Sequence, residues 1–330
     1  MKTLVTGATG FLGSAIVREL LDNGREIKAL IRNGADTRNI DNLEIEVVYG
    51  DLRDKSSLKT ALLDCDVLYH AAAYYSFWHQ DKNLFYDINA NGTKNILQVA
   101  LEAELEKVVY TSTVGCIGLS PDETPANEET FFDPATLSND YKRSKFQAEN
   151  IAKDFFRKGL PVVIVNPTAP IGPRDIKPTP TGKIILDFLN RKIPAYLDTG
   201  LNLIHVKDCS KGHILAEQKG TTGERYILGN RNMSLKEILL TLEKITGLKA
   251  PIIKIPYWVA YGAGLASEMI SDWITHKEPA VPLSGVKMAK HKMYFDSSKA
   301  IRKLSLPQTP IEAALTEAVE WFTRNYFVRN

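Results

Sequence analysis

The amino-acid sequence predicts an α/β protein: a doubly wound parallel sheet followed by a smaller C-terminal lobe. Three observations carry this. Short apolar, β-branched runs alternate with segments of helical period along the first half of the chain. The first of these runs leads straight into a glycine-rich turn that opens a helix. The run Val162-Val163-Ile164-Val165 is continuously apolar, as a strand covered on both faces must be. The length of 330 residues allows one large domain or two lobes, and 44% apolar with 24% charged residues is the balance of an ordinary globular chain. The net charge of +2 argues neither for nor against an acidic partner, and the lack of a Lys/Arg run sets nucleic acid aside.

In chain order, strands are expected over Lys2–Thr6, Glu26–Ile31, Ile45–Tyr49, Val67–His70, Val108–Ser112 and Val162–Val165. Helical spacing covers Phe11–Asp22, closed by Gly24, then Asn91–Ala103, and Asp140–Arg157, closed by Gly159. From Pro167 to Gly182 the texture changes to five prolines, two glycines and no period, which marks a functional loop or a lobe boundary. Ser234–Thr246 reads as an amphipathic helix with Ser234 as N-cap, Glu237 at the capping-box position and Gly247 at its end. A last helix is expected over about Pro310–Asn325. The division that follows is residues 1–166, with about 203–229 returning to them, as a dinucleotide-binding Rossmann domain. Residues 167–202 and 230–330 form the substrate-binding lobe.

The turn Thr6-Gly7-Ala8-Thr9-Gly10-Phe11-Leu12-Gly13 has the spacing G-x-x-G-x-x-G. Glycines permit the tight turn, bring backbone close to a pyrophosphate and let the helix pack on the strand. The helix N-terminus then offers free N–H groups to the phosphates. Gly7, Thr9, Gly10, Phe11, Leu12 and Gly13 are therefore cofactor candidates. At the end of the second strand, where an acidic residue would hold the ribose of NAD, stands Arg32. A guanidinium there suits a 2′-phosphate, with Arg38 close enough to help, so NADP(H) is expected. NAD is the alternative, with Asp36 able to reach the ribose and both arginines simply solvated. Asp51 and Leu52 are expected beside the adenine, and Ala71, Ala72 and Ala73 are small enough to let the cofactor pass closely.

Tyr141-Lys142-Arg143-Ser144-Lys145 is Y-x-x-x-K on a helix, so the phenol and the ammonium share one face. A free tyrosine, with a pKa of about 10, is too weak an acid for chemistry near neutrality. The Lys145 charge is expected to lower it, and Lys145 can also bind the nicotinamide ribose. A hydroxyl in Tyr110-Thr111-Ser112-Thr113-Val114 would hold the substrate oxygen. Ser112 and Thr113 are both candidates, and one of them could be only a satisfied strand-end hydroxyl.

Together these residues resemble the extended short-chain dehydrogenase/reductases, the NAD-dependent epimerase/dehydratase family. The matching features are Thr6–Gly13, Gly50-Asp-Leu-Arg-Asp54, His70–Ala73, Asn89, the Thr-Ser-Thr strand end, Tyr141 with Lys145, Asn166-Pro167 and His205-Val-Lys-Asp208. The resemblance implies an enzyme, with Asn89 and Thr111 among the cofactor residues and Asn166, Pro167 and Thr168 lining the nicotinamide. Register against the family's S-S-x-x-x-x-G pattern, ending at Gly118, places the catalytic hydroxyl on Thr113, a Thr where the family usually has Ser. Within the family the chain looks most like the dihydroflavonol 4-reductase-like branch and like proteins labelled hopanoid-associated sugar epimerase, through Asn166–Gly182 and Asp198–Val206. The resemblance also implies a homodimer through the helices Asn91–Ala103 and Asp140–Arg157.

The expected activity is hydride transfer to a ketone or aldehyde, with Tyr141 exchanging the proton, Lys145 tuning it and Thr113 orienting the oxygen. Tyr74, Tyr75, Phe77 and Trp78 would face an apolar small-molecule substrate, or could be core packing. One rival is a nucleotide-sugar epimerase or dehydratase that retains its cofactor, with Arg174, Lys177 and Lys183 on a diphosphate. Another is a non-catalytic cofactor sensor on the same fold. His79, His205 and His213 form no metal set, and no metal is expected. Cys65, Cys116 and Cys209 read as reduced thiols, pointing to the cytoplasm. The uncharged stretch Ile255–Ser267 is too short to span a membrane. It is expected to be a core helix beneath the substrate lobe, with surface docking as the alternative.

Overall fold

The computed structural model describes all residues except 77, 121, 135, 136, 138, 278 and 327–330. Phe77, one of the four expected substrate-facing aromatics, thus lies outside the described residues.

Among the described residues, ten strands form two sheets. β1 (Lys2–Thr6), β2 (Glu26–Ile31), β3 (Glu46–Tyr49), β4 (Val67–His70), β5 (Lys107–Thr111), β6 (Val162–Pro167) and β9 (Arg225–Leu228) make a parallel seven-stranded sheet in the order β3-β2-β1-β4-β5-β6-β9. The order reverses beside β1, so a crevice opens at the carboxyl ends of β1 and β4, where dinucleotides bind in such sheets. β7 (Ala169–Ile171), β8 (Gly200–His205) and β10 (Arg231–Ser234) make a second, three-stranded sheet in the order β10-β8-β7. This is the doubly wound α/β fold that the alternating runs predicted.

Both faces of the large sheet are covered. On one, Ile16, Val17 and Leu20 of helix Phe11–Asp22 pack with Cys209 and Ile214 of helix Val206–Lys219. On the other, Leu58, Ile96, Ala148 and Phe155 come from the helices Lys55–Leu62, Gly92–Glu102 and Asp140–Arg157. Burial on both sides explains why β6 carries four consecutive apolar residues. A separate core fills the C-terminal lobe, with Ile185, Phe188, Leu239, Leu242, Leu315 and Phe322 at its centre.

The region after Pro167 is more ordered than its composition suggested. Thr179 caps helix Pro180–Leu189 by accepting from the Gly182 N–H, and Pro180 occupies the first helical position. The expected capping box at Ser234 and Glu237 is present, and Gly247 closes that helix with a left-handed φ of 74°. The His205-Val-Lys-Asp208 motif is architectural. His205 caps helix Val206–Lys219 through Nδ1, and Asp208 accepts from the Thr309 N–H and hydroxyl. One expectation is overturned: Tyr257–Ile270 is a helix, but not one buried in the core, since Trp258 on its outer face is 74% exposed. Among the described residues no helix is long and apolar enough to cross a membrane.

Candidate active site

A cavity of about 810 Å³ runs along the carboxyl edge of the large sheet and under the C-terminal lobe. At its floor, Gly7 takes a φ of 74°, and a Cβ there would stand 2.7 Å from the backbone N of Ala72. A Cβ on Gly13 would stand 2.0 Å from the Gly7 carbonyl oxygen. Both positions therefore require glycine, which keeps the turn low and the start of helix Phe11–Asp22 hard against β1. Asn39 holds the loop from outside by donating to the Thr9 carbonyl at 3.2 Å. The residues fit a dinucleotide: a bare backbone loop at a helix N-terminus, at the switch point of the sheet, walled by Ala71, Ala72 and Ala73.

Of the residues expected to hold the cofactor, Arg32, Asp51, Leu52, Thr111, Pro167 and Thr168 also line the cavity. Arg38, Asn89 and Asn166 do not. Arg38 forks onto Asp36, with its Nη2 at 2.7 Å from Oδ2, and is engaged before any phosphate arrives. This pairing holds the Asp36 carboxyl down at about 2. Asn89 clamps the backbone of Tyr74 through both its N–H and C=O and donates to Ser144. Asn166 donates to the Thr113 carbonyl and to Glu149, both at 2.9 Å.

A second, polar cavity adjoins the main one at Arg32; from sequence Arg53 has no assigned role and Lys177 is expected on a substrate diphosphate. Arg32, Arg53 and Lys177 all line it. Arg53 stands within Gly50-Asp-Leu-Arg-Asp54 and pairs with Asp51 at 2.7 Å. Lys177 comes from the proline-rich loop on the opposite lobe, where no local pattern announces a long-range meeting.

At the other end of the main cavity lie Thr113, Tyr141 and Lys145. Asn139 caps helix Asp140–Arg157 and so fixes the turn that presents Tyr141. Burial pushes the Tyr141 phenol well above its ordinary range, and a hydrogen bond with the Thr113 side chain opposes this. Thr113 thus stands near Tyr141 with its hydroxyl accepting from the Gly115 N–H at 3.1 Å, while Ser112 donates to buried Glu149 at 2.6 Å. The Lys145 ammonium donates to the Tyr110 hydroxyl at 3.0 Å and to the Thr111 carbonyl at 2.8 Å, and it lies over the Tyr110 ring. Burial draws Lys145 itself down to about 8, against the pull of Cys116 and Glu149. Tyr110 was missed because a tyrosine inside a buried strand reads as core.

The end of the cavity beyond Tyr141 is apolar. Tyr74 lines it, with Ile184, Leu197, Val286, Met293 and Phe295 from the C-terminal lobe. Tyr75 packs its ring on Tyr141 at 4.8 Å between centroids. Trp78 lies outside the cavity wall and donates its indole N–H to Asp272 at 3.0 Å, tying its loop to the opposite lobe. Arg174 is also outside, in an exposed turn with φ of 74°. Among the described residues, the charged side chains lining the main cavity are Arg32 and Asp51 at one end and Lys142 and Lys145 at the other.

The fold, the glycine turn and the cavity define a nicotinamide-dinucleotide enzyme of the extended short-chain dehydrogenase/reductase class. The model of the NAD dependent epimerase/dehydratase family matches residues 3–229, and the chain belongs to that family. A Synechocystis protein provisionally named a dihydroflavonol 4-reductase is 46% identical over 329 residues, covering 98% of this chain and 95% of its own. Sterol demethylase protein B of Methylococcus capsulatus is 35% identical over 323 residues, covering 98% of each. The crystal structure of gox2253 superposes with a TM-score of 0.88 at 41% identity, covering 98% of this chain and 99% of that one. The chain is accordingly an NAD(P)-dependent oxidoreductase or epimerase.

Proposed function

We propose that this enzyme is an NADP(H)-dependent reductase of a ketone or aldehyde carried on a largely apolar molecule. The observation that carries this reading is the composition of the substrate end, where an apolar wall surrounds the Thr113–Tyr141 pair. A nucleotide-sugar would bring a diphosphate into this space, and Arg174, Lys177 and Lys183 all lie outside the main cavity's wall. The names of the Synechocystis and Methylococcus capsulatus relatives, a dihydroflavonol 4-reductase and a sterol demethylase protein, point the same way.

The nicotinamide, when bound, supplies the hydride. Thr113 and Tyr141 together hold the substrate oxygen, and Tyr141, kept protonated by burial, donates its proton there. Lys145 sits behind the pair on Tyr110, where its charge favours the phenolate that donation leaves. Arg32 and Lys177 favour the phosphorylated coenzyme over NAD, in a cavity whose Arg53 is already held by Asp51. The homodimer reading rests on the adjacent helices Gly92–Glu102 and Asp140–Arg157, and sedimentation velocity decides it.

Tyr141→Phe tests the proposal. Reduction of an apolar ketone is expected to fall by about 10²–10⁴-fold while NADPH affinity is kept. Turnover near the wild-type rate would remove Tyr141 as the acid. The epimerase reading draws on one observation, Lys142 on the cavity wall beside Tyr141. It requires a tightly retained coenzyme that is not consumed, whereas the reductase oxidises one NADPH per product.

A further inference from the structure

Helix Tyr257–Ile270 continues as a π turn over Ser271–Thr275. Its inner face is seated: Ala260, Gly264 and Ser271 are buried, and a Cβ on Gly264 would touch Leu283 and Val286 at 3.2–3.3 Å. The outer face carries Trp258 (74% exposed), Leu265 (41%), Met269 (58%), Ile270 (50%), Trp273 (79%) and Ile274 (73%). The steps 258, 265, 269, 273 follow a single helical stripe. Within Trp258–Ile274 the charged residues are Glu268 and Asp272, and Asp272 is occupied by the Trp78 indole. Contiguous apolar surface on this scale marks a docking site rather than a solvated face.

Two further observations identify what docks. Free cations flank the stripe: of the six lysines in residues 249–292, Lys249, Lys254 and Lys292 are paired with Glu243, Asp198 and Glu123, and three are left over. Lys277, Lys287 and Lys290 are exposed and, among the described residues, make no ion pair. A second copy of this chain meeting the face about a two-fold axis would set those cations against their own copies. A surface of anionic headgroups neutralises them, and tryptophans at both ends of the stripe suit the boundary between headgroups and acyl chains. The stripe is also continuous with the site. Ile255 and Ala260 line the main cavity, as does Val281, which is itself 38% exposed, so apolar surface passes from the outside into the substrate end.

We propose that this face docks the protein on an anionic phospholipid bilayer, the helix lying in the interfacial plane with the substrate end of the cavity opening beside it. This goes beyond the reaction proposed above and does not depend on Tyr141 chemistry. The test uses the full chain with sucrose-loaded vesicles of phosphatidylcholine, with and without phosphatidylglycerol. The wild type is expected to sediment with the phosphatidylglycerol vesicles, less so at high salt, with a blue shift of tryptophan fluorescence. The double variant Trp258→Glu/Trp273→Glu is expected to lose about tenfold or more in vesicle binding while NADPH binding and melting temperature stay at wild-type values. Lys277→Glu/Lys287→Glu/Lys290→Glu leaves the apolar stripe intact and is expected to abolish the preference for anionic vesicles. Failure of the wild type to bind phosphatidylglycerol vesicles, or undiminished binding by both variants, overturns the proposal. So does lipid-free self-association that the tryptophan variant abolishes, which would make the face a contact between copies.

Discussion

Tyr141 and Lys145 stand one helical turn apart yet keep different company. Burial raises the phenol and lowers the ammonium, so at neutral pH the pair is a protonated acid beside a charged lysine. Lys145 titrates at about 8 in the folded chain, below the value of about 10.4 for a free lysine. Over the interval between those values the unfolded chain binds the extra proton, so stability rises with pH there. Under the proposed mechanism activity would move oppositely: with the Lys145 charge favouring the phenolate, kcat/KM for a ketone is expected to hold below about pH 8 and decline above it. Lys145→Met should lower kcat/KM about 10²-fold and flatten that limb in a pH–rate profile. Gly13 admits a simpler prediction. A Cβ 2.0 Å from the Gly7 carbonyl must move the loop or the helix. Gly13→Ala is expected to cost about 1–3 kcal/mol, read as a lowered Tm, and to weaken coenzyme binding together with stability.

Where an element was legible in the sequence, one physical signal dominated it. β6 is apolar because both its faces are covered, and helix Asp140–Arg157 has an N-cap, an amphipathic stripe and a closing glycine. Ser234 is the clearest case. It accepts from the Glu237 N–H while the Glu237 carboxylate accepts from the Ser234 N–H, so two otherwise orphaned donors are satisfied locally. Ser234→Ala is expected to destabilise by about 1 kcal/mol in denaturant unfolding. Illegible elements lacked such a signal or answered to distant partners. β8 (Gly200–His205) carries two polar residues, Asn202 and His205, whose partners are Asn232 and Phe295 for one and the next helix for the other. Helix Tyr257–Ile270 was misplaced because apolar composition alone does not tell a core from an outward face. Within the site, the glycine turn and Y-x-x-x-K were readable because their geometry is local. The hold of Tyr110 on Lys145 and of Asp36 on Arg38 was not, since either side chain had other options until the chain was folded.

At the scale of the whole molecule, residues from both lobes line the polar cavity beside Arg32. Arg32 and Arg53 belong to the large-sheet domain, while Lys177 arrives from the loop between β7 and helix Pro180–Leu189. A 2′-phosphate in that cavity would face cations from both sides, so coenzyme binding should fasten one lobe to the other. A ligand bound only by the folded state stabilises it by RT ln(1 + [L]/Kd), about 2.7 kcal/mol at a hundredfold excess over Kd. NADPH is therefore expected to raise Tm more than NADH does at equal concentration. Lys177→Ala should remove most of that difference while leaving the NADH shift unchanged, because the lysine meets only the phosphate that distinguishes the two. Arg38→Ala, by contrast, should leave the difference intact, since Arg38 is already held by Asp36. Differential scanning fluorimetry with both coenzymes checks all three statements. Equal shifts for NADPH and NADH in the wild type would take the 2′-phosphate out of this cavity altogether.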